Sequence, residues 1–291
     1  MKAGTRKRIT AAVAVGVASA ALMIGSPGTG SAAPAAAPSL RAFGISGDGT
    51  LMATFTTDRP QTLDWVRAVT GLSGDTTLIG IDFRVQDGLL YGVGNKGGIY
   101  SIKTPPATTD AVVTKVSQLQ YALHGTNFGV DFNPAADRLR VISDNGQNLR
   151  HNLNDHSTIQ DLNLTTPPIE GTTKGVSAAA YTNNDLNAAT ATTLVDINTT
   201  TDQVVLQSPA NNGTLAPTGS LGFDAGINAG MDIYSTLSGG RTVDNAAFAT
   251  LTPPGAGTPS LYSVNVFTGQ ATSLGQFPLN ITDLAISLTG S

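Results

Sequence analysis

Four aspartates recur at one position of a short motif, and they are the first residues to consider for chemistry. Segments 80–83, 129–132 and 230–233 each read Gly, apolar, Asp, apolar, and segment 281–284 is a degenerate fourth copy. If these segments are equivalent strands of a repeated unit, their aspartates surround one axis. Carboxylates in a ring can hold a hard cation, and Ca²⁺ tolerates their irregular geometry better than Mg²⁺ does. The predicted metal ligands are Asp82, Asp131, Asp232 and Asp283.

A structural role for the same aspartates is open as well. A short acidic side chain beside a glycine often accepts hydrogen bonds from backbone N–H groups of a turn or a neighbouring strand. Such a contact would recur simply because the unit recurs. Apart from Ca²⁺ at this ring, the sequence predicts no cofactor.

Basic and amide side chains concentrate in the second repeat. Three arginines fall within the thirteen positions 138–150, and strand alternation places Arg138 and Arg140 on one face. In an acidic protein such a group can bind a carboxylate or phosphate in bidentate fashion, or line a sugar site. The alternative is that the arginines pair with Asp131, Asp137, Asp144 or an aspartate of the adjacent unit. The predicted ligand-binding residues are Arg84, Asn133, Arg138, Arg140, Asn148 and Arg150.

Several kinds of site lack their defining residues. The chain has no cysteine, which excludes disulfides, thiol nucleophiles and thiolate-bound metals. It has no Gly-x-Ser-x-Gly, phosphate-loop or His-Glu-x-x-His motif, so serine-hydrolase, nucleotide and zincin sites are not indicated. His151 and His156 flank a polar turn with no third ligand in the sequence around them, which argues against zinc there. No catalytic residue is predicted.

The elements that must position these residues follow a regular period. The aspartate positions, counting Ala180 in the phase where an aspartate is missing, are 49, 49, 52 and 51 residues apart. Short apolar segments and turn signals follow each copy. Segments 99–102, 194–197 and 261–264 are assigned as the third strands of their units. Four short antiparallel strands per period of this length are typical of a β-propeller blade.

The predicted fold is all-β, a propeller of five four-stranded blades. The last copy supplies one inner strand only, and segment 40–72 supplies strands without an inner one. Pairing of segment 281–287 with segment 40–72 would complete one blade and join the C-terminal strand to the N-terminal blade. Four or six blades, or a two-sheet sandwich or jelly roll, are the alternatives, and the regular period argues against the sandwich and the jelly roll.

Residues 1–32 read as a secretory signal peptide. A basic start is followed by sixteen mostly small or apolar residues, 9–24, and Ala32 ends a small-residue cleavage site. A transmembrane anchor is the alternative, but this stretch is shorter than the about 20 residues that a bilayer requires. Residues 33–39 form an Ala/Pro tether, and residues 40–291 form a single domain.

The charge of the mature chain limits its partners. Signal removal takes away four of the 16 basic residues and no acidic one, which leaves a formal charge of −8. Nucleic acids and anionic membranes repel a chain this acidic. We therefore expect an extracellular monomer with no nucleic-acid partner and no membrane span after signal cleavage.

One long stretch of the sequence is specific enough to be compared with a family. It runs from Gly129 to Arg150 and reads GVDFNPAADRLRVISDNGQNLR, with GIDFR at 80–84 and AYTN at 180–183 as companions. Together these segments resemble a family of secreted bacterial proteins, the domain-of-unknown-function family catalogued under 4394. The resemblance spans roughly residues 40–288 and implies a propeller-like fold and export. Because the activity of that family is uncharacterised, the resemblance implies no catalytic residue.

These observations favour a non-catalytic extracellular protein that binds an unidentified ligand or protein partner at the channel mouth or on the loops. The alternative is an extracellular carbohydrate-active or lactone-type hydrolase. In that case two channel aspartates would serve as acid and base or nucleophile.

Overall fold

The computed structural model describes residues 38–291. The predicted signal peptide, 1–32, and most of the predicted tether, 33–39, lie outside the described residues. Within residues 38–291 the chain is all-β, as predicted, with twenty strands, one 3₁₀ turn (Ala210–Asn212) and no α-helix. No helix in this range is long and apolar enough to cross a membrane.

The largest sheet contains the first seven strands and the last one. They are β1 (Arg41–Ser46), β2 (Leu51–Thr56), β3 (Trp65–Thr70), β4 (Leu78–Arg84), β5 (Leu89–Gly94), β6 (Gly98–Lys103), β7 (Ala111–Gln118) and β20 (Ile281–Ile286). Their order across the sheet is β20-β1-β2-β3-β7-β6-β5-β4. Strands β3 and β7 run parallel and share only two residue pairs, so this sheet consists of two four-stranded groups joined at their outer edges.

Three further sheets contain four strands each and follow the order of the chain. The third group comprises β8 (Phe128–Asn133), β9 (Arg138–Ser143), β10 (Asn148–His151) and β11 (Thr158–Gln160). The fourth comprises β12 (Val176–Tyr181), β13 (Leu194–Asn198), β14 (Gln203–Gln207) and β15 (Leu215–Ser220). The fifth comprises β16 (Gly230–Ser238), β17 (Arg241–Leu251), β18 (Ser260–Val264) and β19 (Ala271–Gln276). The antiparallel hairpins that form each group need only short turns.

The five groups are arranged around one axis. Each has one strand at its inner edge, and these strands contact one another in the cyclic order β4, β8, β12, β16, β20 and again β4. We call the space that they enclose the channel. Radial packing of this kind buries both faces of each sheet against its neighbours. The fold is therefore propeller-like.

The C-terminal segment joins the N-terminal strands, as predicted. Strand β20 pairs antiparallel with β1, from Ala42 opposite Ile286 to Ser46 opposite Ile281. It thus supplies the inner strand that β1, β2 and β3 lack. The first group is therefore assembled from the two ends of the described chain.

One strand assignment made from the sequence is wrong. The pattern places segment 194–197 among the third strands, but β13 is the second strand of its group, with Ala180 of β12 opposite Val195. The third strand of that group is β14, on the other side of β13. A short run of apolar residues indicates a buried strand but not its position within a sheet.

Five clusters of buried apolar side chains fill the five junctions between neighbouring groups. Between the fifth and first groups, for example, the rings of Phe55 and Phe277 meet edge to face with centroids 4.9 Å apart. Each cluster draws on two groups, so no group has a core of its own. The inner strands are held by this shared packing, which fixes the side chains that face the channel.

Candidate functional site

The four repeated aspartates all lie on inner strands. Asp82 is on β4, Asp131 on β8, Asp232 on β16 and Asp283 on β20, and none is more than 6 % exposed. Strand β12 carries Ala180 in the same phase. The carboxyl groups therefore form a ring with one gap, and we call these four residues the aspartate ring.

Each ring aspartate accepts a hydrogen bond from the backbone of the next inner strand. The donors are the N–H groups of Phe132 to Asp82 (2.6 Å), Tyr181 to Asp131 (3.0 Å), Ile286 to Asp232 (2.5 Å) and Ile81 to Asp283 (2.8 Å). These are the contacts expected of the structural role. Because a carboxylate has further lone pairs, they leave room for a cation as well. The junction between β12 and β16 has no such contact, because Ala180 offers no acceptor.

The glycine of the repeated motif allows two neighbouring inner strands to approach closely. A Cβ atom on Gly129 would lie 2.6 Å from the backbone nitrogen of Ala179, and one on Gly230 would lie 2.4 Å from the Cα atom of Asp283. Glycine alone permits so close an approach of two backbones. The motif thus brings two inner strands together at its glycine and ties them at its aspartate.

Burial and mutual repulsion raise the pKa values of the ring. Burial is the largest cause for Asp82 and Asp131, followed by the negative charge of other ring members, and both pKa values lie well above the ordinary range. Burial also raises the pKa of Asp283 well above its usual range and that of Asp232 to about 6. The backbone N–H donors act in the opposite direction. Among residues 38–291, no lysine or arginine forms a salt bridge with the ring.

Three members of the ring come close enough to share one ion. One carboxylate oxygen from each of Asp82, Asp131 and Asp232 lies within 4.8 Å of the other two. Oxygens at this spacing can surround a cation that they contact at about 2.4 Å, the Ca²⁺–oxygen distance. Ca²⁺ takes six to eight oxygens, so the remainder would come from Asp283, backbone carbonyls or water. The Ca²⁺ site stays a prediction with a fitting donor set.

A pocket of about 310 Å³ opens at the end of the channel where the inner strands begin. Leu78 and Ile79, the first residues of β4, and Phe128, the first residue of β8, form part of its wall. Asp283 also lines it, so the pocket reaches the aspartate ring. The other polar lining residues are Ser46, Asp48, Thr77, Asn95, Thr126, Asn127, Asn228 and Thr282. Of the residues that the structure describes, no lysine, arginine or histidine lines this pocket.

The predicted ligand-binding residues separate into two clusters. Arg84 and Asn133 are the last residues of β4 and β8, and Arg138 follows nearby, at the opposite end of the inner strands from the pocket. Arg84 donates to both carboxylate oxygens of Asp137 (2.7 and 2.5 Å) and to Asp87 (2.7 Å). The Arg84 guanidinium accordingly lowers the pKa of Asp137.

Arg140, Asn148 and Arg150 form the second cluster of these residues, near the junction of the third and fourth groups of strands. Arg140 is 3 % exposed, and all three of its nitrogens donate. Its acceptors are Asn148 (2.7 Å), Asp161 (2.7 Å), Tyr181 Oη (3.2 Å) and Asn211 (2.8 Å). Arg150 donates to the same Asp161 at 2.9 Å.

For Arg84, Arg140 and Arg150 these contacts match the alternative in which the arginines pair with aspartates. The partners are Asp87, Asp137 and Asp161, and not Asp131 or Asp144. The described contacts of Arg138 are instead with the backbone carbonyls of Ala136 and Asp137. Ligand binding at the six residues stays a prediction. Of these arginines, Arg138 and Arg150 are half-buried, and the side chain of Arg150 is 29 % exposed.

The pocket residues other than Asp283 were not predicted from the sequence. Asn95, Asn127 and Asn228 come from three separate segments before or between strands, and each belongs to a stretch of ordinary turn residues. Their convergence depends on the cyclic order of the inner strands. Asn127 and Asn228 lie just before the inner strands β8 and β16, whereas Asn95 lies in the turn between β5 and β6, so their sequence positions share no common signal.

Comparisons with known proteins identify one family. The profile of a domain of unknown function, DUF4394, matches residues 51–285. No curated protein is detectably similar to the chain. Solved structures that resemble the chain include one from a nidogen/laminin complex, at 12 % identity and a TM-score of 0.46, with 86 % of this chain and 99 % of that one covered.

Two further solved structures are similar. One is a Bacteroides thetaiotaomicron protein of unknown function, at 12 % identity and a TM-score of 0.43, with 84 % of this chain and 60 % of that one covered. The other is a Myxococcus xanthus glutaminyl cyclase, at 11 % identity and a TM-score of 0.43, with 79 % of this chain and 100 % of that one covered. All three TM-scores lie below 0.5, and the propeller-like fold is inferred from the strand pairing of the chain itself.

Proposed function

The chain belongs to the DUF4394 family, a domain of unknown function, and on that premise we propose that it is an exported five-bladed propeller whose channel mouth binds a small cationic ligand. In this proposal the channel serves binding, not catalysis. The observation that carries it is the pocket at the channel mouth, which contains Asp48 and Asp283 and no basic side chain among the described residues.

The count of five blades rests on two observations. Five inner strands contact one another in a closed cycle, and five apolar clusters lie between successive groups. Each blade would then have four strands, with β20, β1, β2 and β3 forming the blade that joins the two ends. The parallel contact of β3 with β7 would be a link at the rim between two blades.

Export is supported by the sequence of residues 1–32 alone. Expression in a secreting host should give a protein in the medium whose N-terminal residue is Ala33. Mass spectrometry of the purified protein tests this directly, and an intact N-terminus on a cell-bound chain would refute it.

The charge of the ligand follows from what surrounds it. A negative ligand would meet two carboxylates without a counter-charge, which is unfavourable in a partly enclosed site. A positive ligand would favour the charged form of Asp283, whose pKa is raised by burial and, to a smaller extent, by repulsion from Asp232. The volume, about 310 Å³, exceeds that of a single ion and suits a small organic ammonium with hydroxyl or amide groups for the asparagines to bind.

The burial of the ring favours binding over hydrolysis. A glycosidase needs two carboxyl groups on either side of a bond that a substrate can bring between them. The ring members are at most 6 % exposed, and each holds the backbone of a neighbouring strand. These contacts support the binding proposal over the hydrolase alternative.

A matched pair of probes tests the proposal. The mature chain, residues 33–291, is unfolded thermally with 1,4-diaminobutane or with 1,4-butanediol, which has the same length without charge, at equal ionic strength. We expect the diamine to raise the melting temperature by about 2–4 °C for each kcal/mol of binding free energy, and the diol to leave it unchanged.

Two variants complete the test. Asp283→Asn keeps an acceptor for Ile81 but removes the charge, and it should lose the response to the diamine. Asp224→Asn, at an exposed position away from the pocket, should keep it. Equal shifts with diamine and diol would indicate a neutral polyol ligand, and no shift with either would refute the pocket as a cation site.

A further inference from the structure

A chain of four hydrogen-bonded side chains connects the second and third groups of strands outside the channel. Ser117 Oγ on β7 lies 2.8 Å from His151 Nε2 on β10 and 2.9 Å from His156 Nδ1 in the turn that follows. His151 Nδ1 in turn lies 2.8 Å from Thr158 Oγ1 on β11. The sequence shows the two histidines but not Ser117, which lies 34 residues before the first of them and reaches them only through the packing of the sheets.

The hydrogen-bond directions depend on the tautomer of His151. Thr158 Oγ1 accepts the backbone N–H of Gln120 at 3.0 Å and keeps its own proton, which we assign to the bond with His151 Nδ1. In that tautomer His151 carries its proton on Nε2 and donates it to Ser117 Oγ. The Ser117 hydroxyl is left to donate to His156 Nδ1. Burial, and after it the nearby His156, lower the pKa of His151 to about 4, so this imidazole is neutral at pH 7.

We propose that Ser117 is an acyl-accepting nucleophile, activated by His156 and supported by His151. A hydroxyl within hydrogen-bond reach of an imidazole that can take its proton meets the distance requirement for an activated serine. Thr158 holds the other imidazole, that of His151, which donates to Ser117 Oγ. His156 is exposed and can exchange its proton with solvent. Ser117 is 9 % exposed, which limits the site to small, uncharged acyl groups such as those of activated acetyl esters.

The reaction transfers one acyl group and one proton. Ser117 Oγ forms a bond to the carbonyl carbon while its proton moves to His156 Nδ1, and His151 Nε2–H stabilises the negative charge developing on Oγ. The bond from the carbonyl carbon to the leaving oxygen then breaks, and that oxygen takes its proton from His156 or from water. The products are an ester of Ser117 and the free alcohol, with no oxidant or other co-reactant. None of the four side chains lines the channel-mouth pocket, so this site does not depend on the proposed binding function.

The test uses 4-nitrophenyl acetate on the mature chain. We expect one equivalent of 4-nitrophenolate to be released in a burst and one acetyl group to be found on the peptide that contains Ser117. Ser117→Ala should abolish both, and Ser73→Ala, at an exposed serine, should change neither. His156→Gln should slow the burst by about 100-fold or more, and His124→Gln, at an exposed histidine, should leave it unchanged.

The His156→Gln variant separates activation from a merely structural contact. Its burst rate should fall while its melting temperature stays close to that of the wild type, because the side chain of His156 is exposed. If Ser117→Ala does not fold, the His156→Gln comparison decides the matter. An unacetylated Ser117 peptide, or acetylation at equal rates in wild type and His156→Gln, would overturn the proposal.

Discussion

Asp283 accepts a hydrogen bond from the backbone N–H of Ile81 at 2.8 Å, although 202 residues separate the two in the sequence. This contact joins β20 to β4 and completes the cycle of inner strands. Strand β20 is therefore held twice, by β1 within its own group and by β4 across a junction. The stability of the whole ring should depend on this one carboxyl group.

Replacing Asp283 by alanine should lower the free energy of unfolding by about 1–3 kcal/mol, because the N–H of Ile81 is left without a partner. Asp283→Asn should cost less, since its amide oxygen still accepts that N–H. Urea unfolding measures both. Asp224→Ala, at an exposed position, should stay within about 0.5 kcal/mol of the wild type. Equal losses for the alanine and asparagine variants of Asp283 would contradict the assignment.

Asp232 should make folding stability depend on pH. Burial raises its pKa from the ordinary 3.8 to about 6 in the folded protein, so the native state holds a proton that the unfolded chain releases between these values. The stabilisation is complete below pH 3.8 and is lost as the pH rises through about 6. At about 1.4 kcal/mol per pKa unit, this amounts to roughly 3 kcal/mol.

Urea unfolding at several pH values between 4 and 8 tests this dependence. Asp232→Asn should remove the corresponding part of the loss, and Asp224→Asn should not. Parallel stability curves for the wild type and Asp232→Asn would show that the pKa of Asp232 is not raised.

Removal of divalent cations should reveal whether the aspartate ring binds Ca²⁺. The mature chain is treated with EDTA, unfolded thermally, and then unfolded again with Ca²⁺ restored. Saturation at 100 times the dissociation constant is worth about 2.7 kcal/mol, which corresponds to a rise of about 5–10 °C for a domain of this size. Asp131→Asn should abolish the rise and Asp224→Asn should preserve it. An unchanged melting temperature in the wild type would leave the ring with its structural role alone.

Arg140 should matter far more for stability than its neighbour Arg138. Arg140→Ala would leave the buried Asp161 without one of its two arginine partners and Asn148 and Asn211 without a donor, at a cost of about 3–5 kcal/mol. Arg138 donates only to backbone carbonyls of its own turn, and Arg138→Ala should change the free energy of unfolding by no more than about 0.5 kcal/mol. Chemical denaturation of both variants gives the comparison, and similar losses would refute it.

His151 should remain neutral far into the acid range. Its pKa in the folded protein is lowered to about 4, mainly by burial, while in the unfolded chain it returns to about 6.5. The stability that it contributes is present above pH 6.5 and is lost as the pH falls through about 4, opposite in sign to Asp232. An NMR titration of the imidazole in the folded protein, compared with the same signal in urea, measures the two midpoints. Coinciding midpoints would contradict the burial argument.

The sequence predicted most of what depends on repetition. The Gly-x-Asp motif marked the inner strands, and the unmatched copy near residue 283 predicted the pairing of the last strand with the first ones. Both follow from local pattern and spacing. The position of Leu194–Asn198 within its sheet was not predicted correctly, because a run of buried residues carries no information on strand order.

The candidate sites were less predictable, because each combines residues from different sheets. Asp82 and Phe132 contact each other only because β4 and β8 are adjacent in the ring. Ser117 and His151 meet only because the outer strand β7 of the second group reaches β10 of the third. The pairing of Arg140 with Asp161 lies within the third group and was hidden for another reason, since Asp161 has no motif of its own. Contacts of this kind follow from the geometry of the assembled sheets and leave no mark on a single sequence.

The position of β20 also governs when the molecule can become complete. It leaves the ribosome after the other nineteen strands, yet the N-terminal strands β1 to β3 have no inner neighbour until it arrives. The cycle of inner strands therefore cannot close before β20 has been synthesised, however early the middle sheets fold. Contacts so distant in sequence are slow to form, so we expect the docking of β20 to follow the formation of the local hairpins.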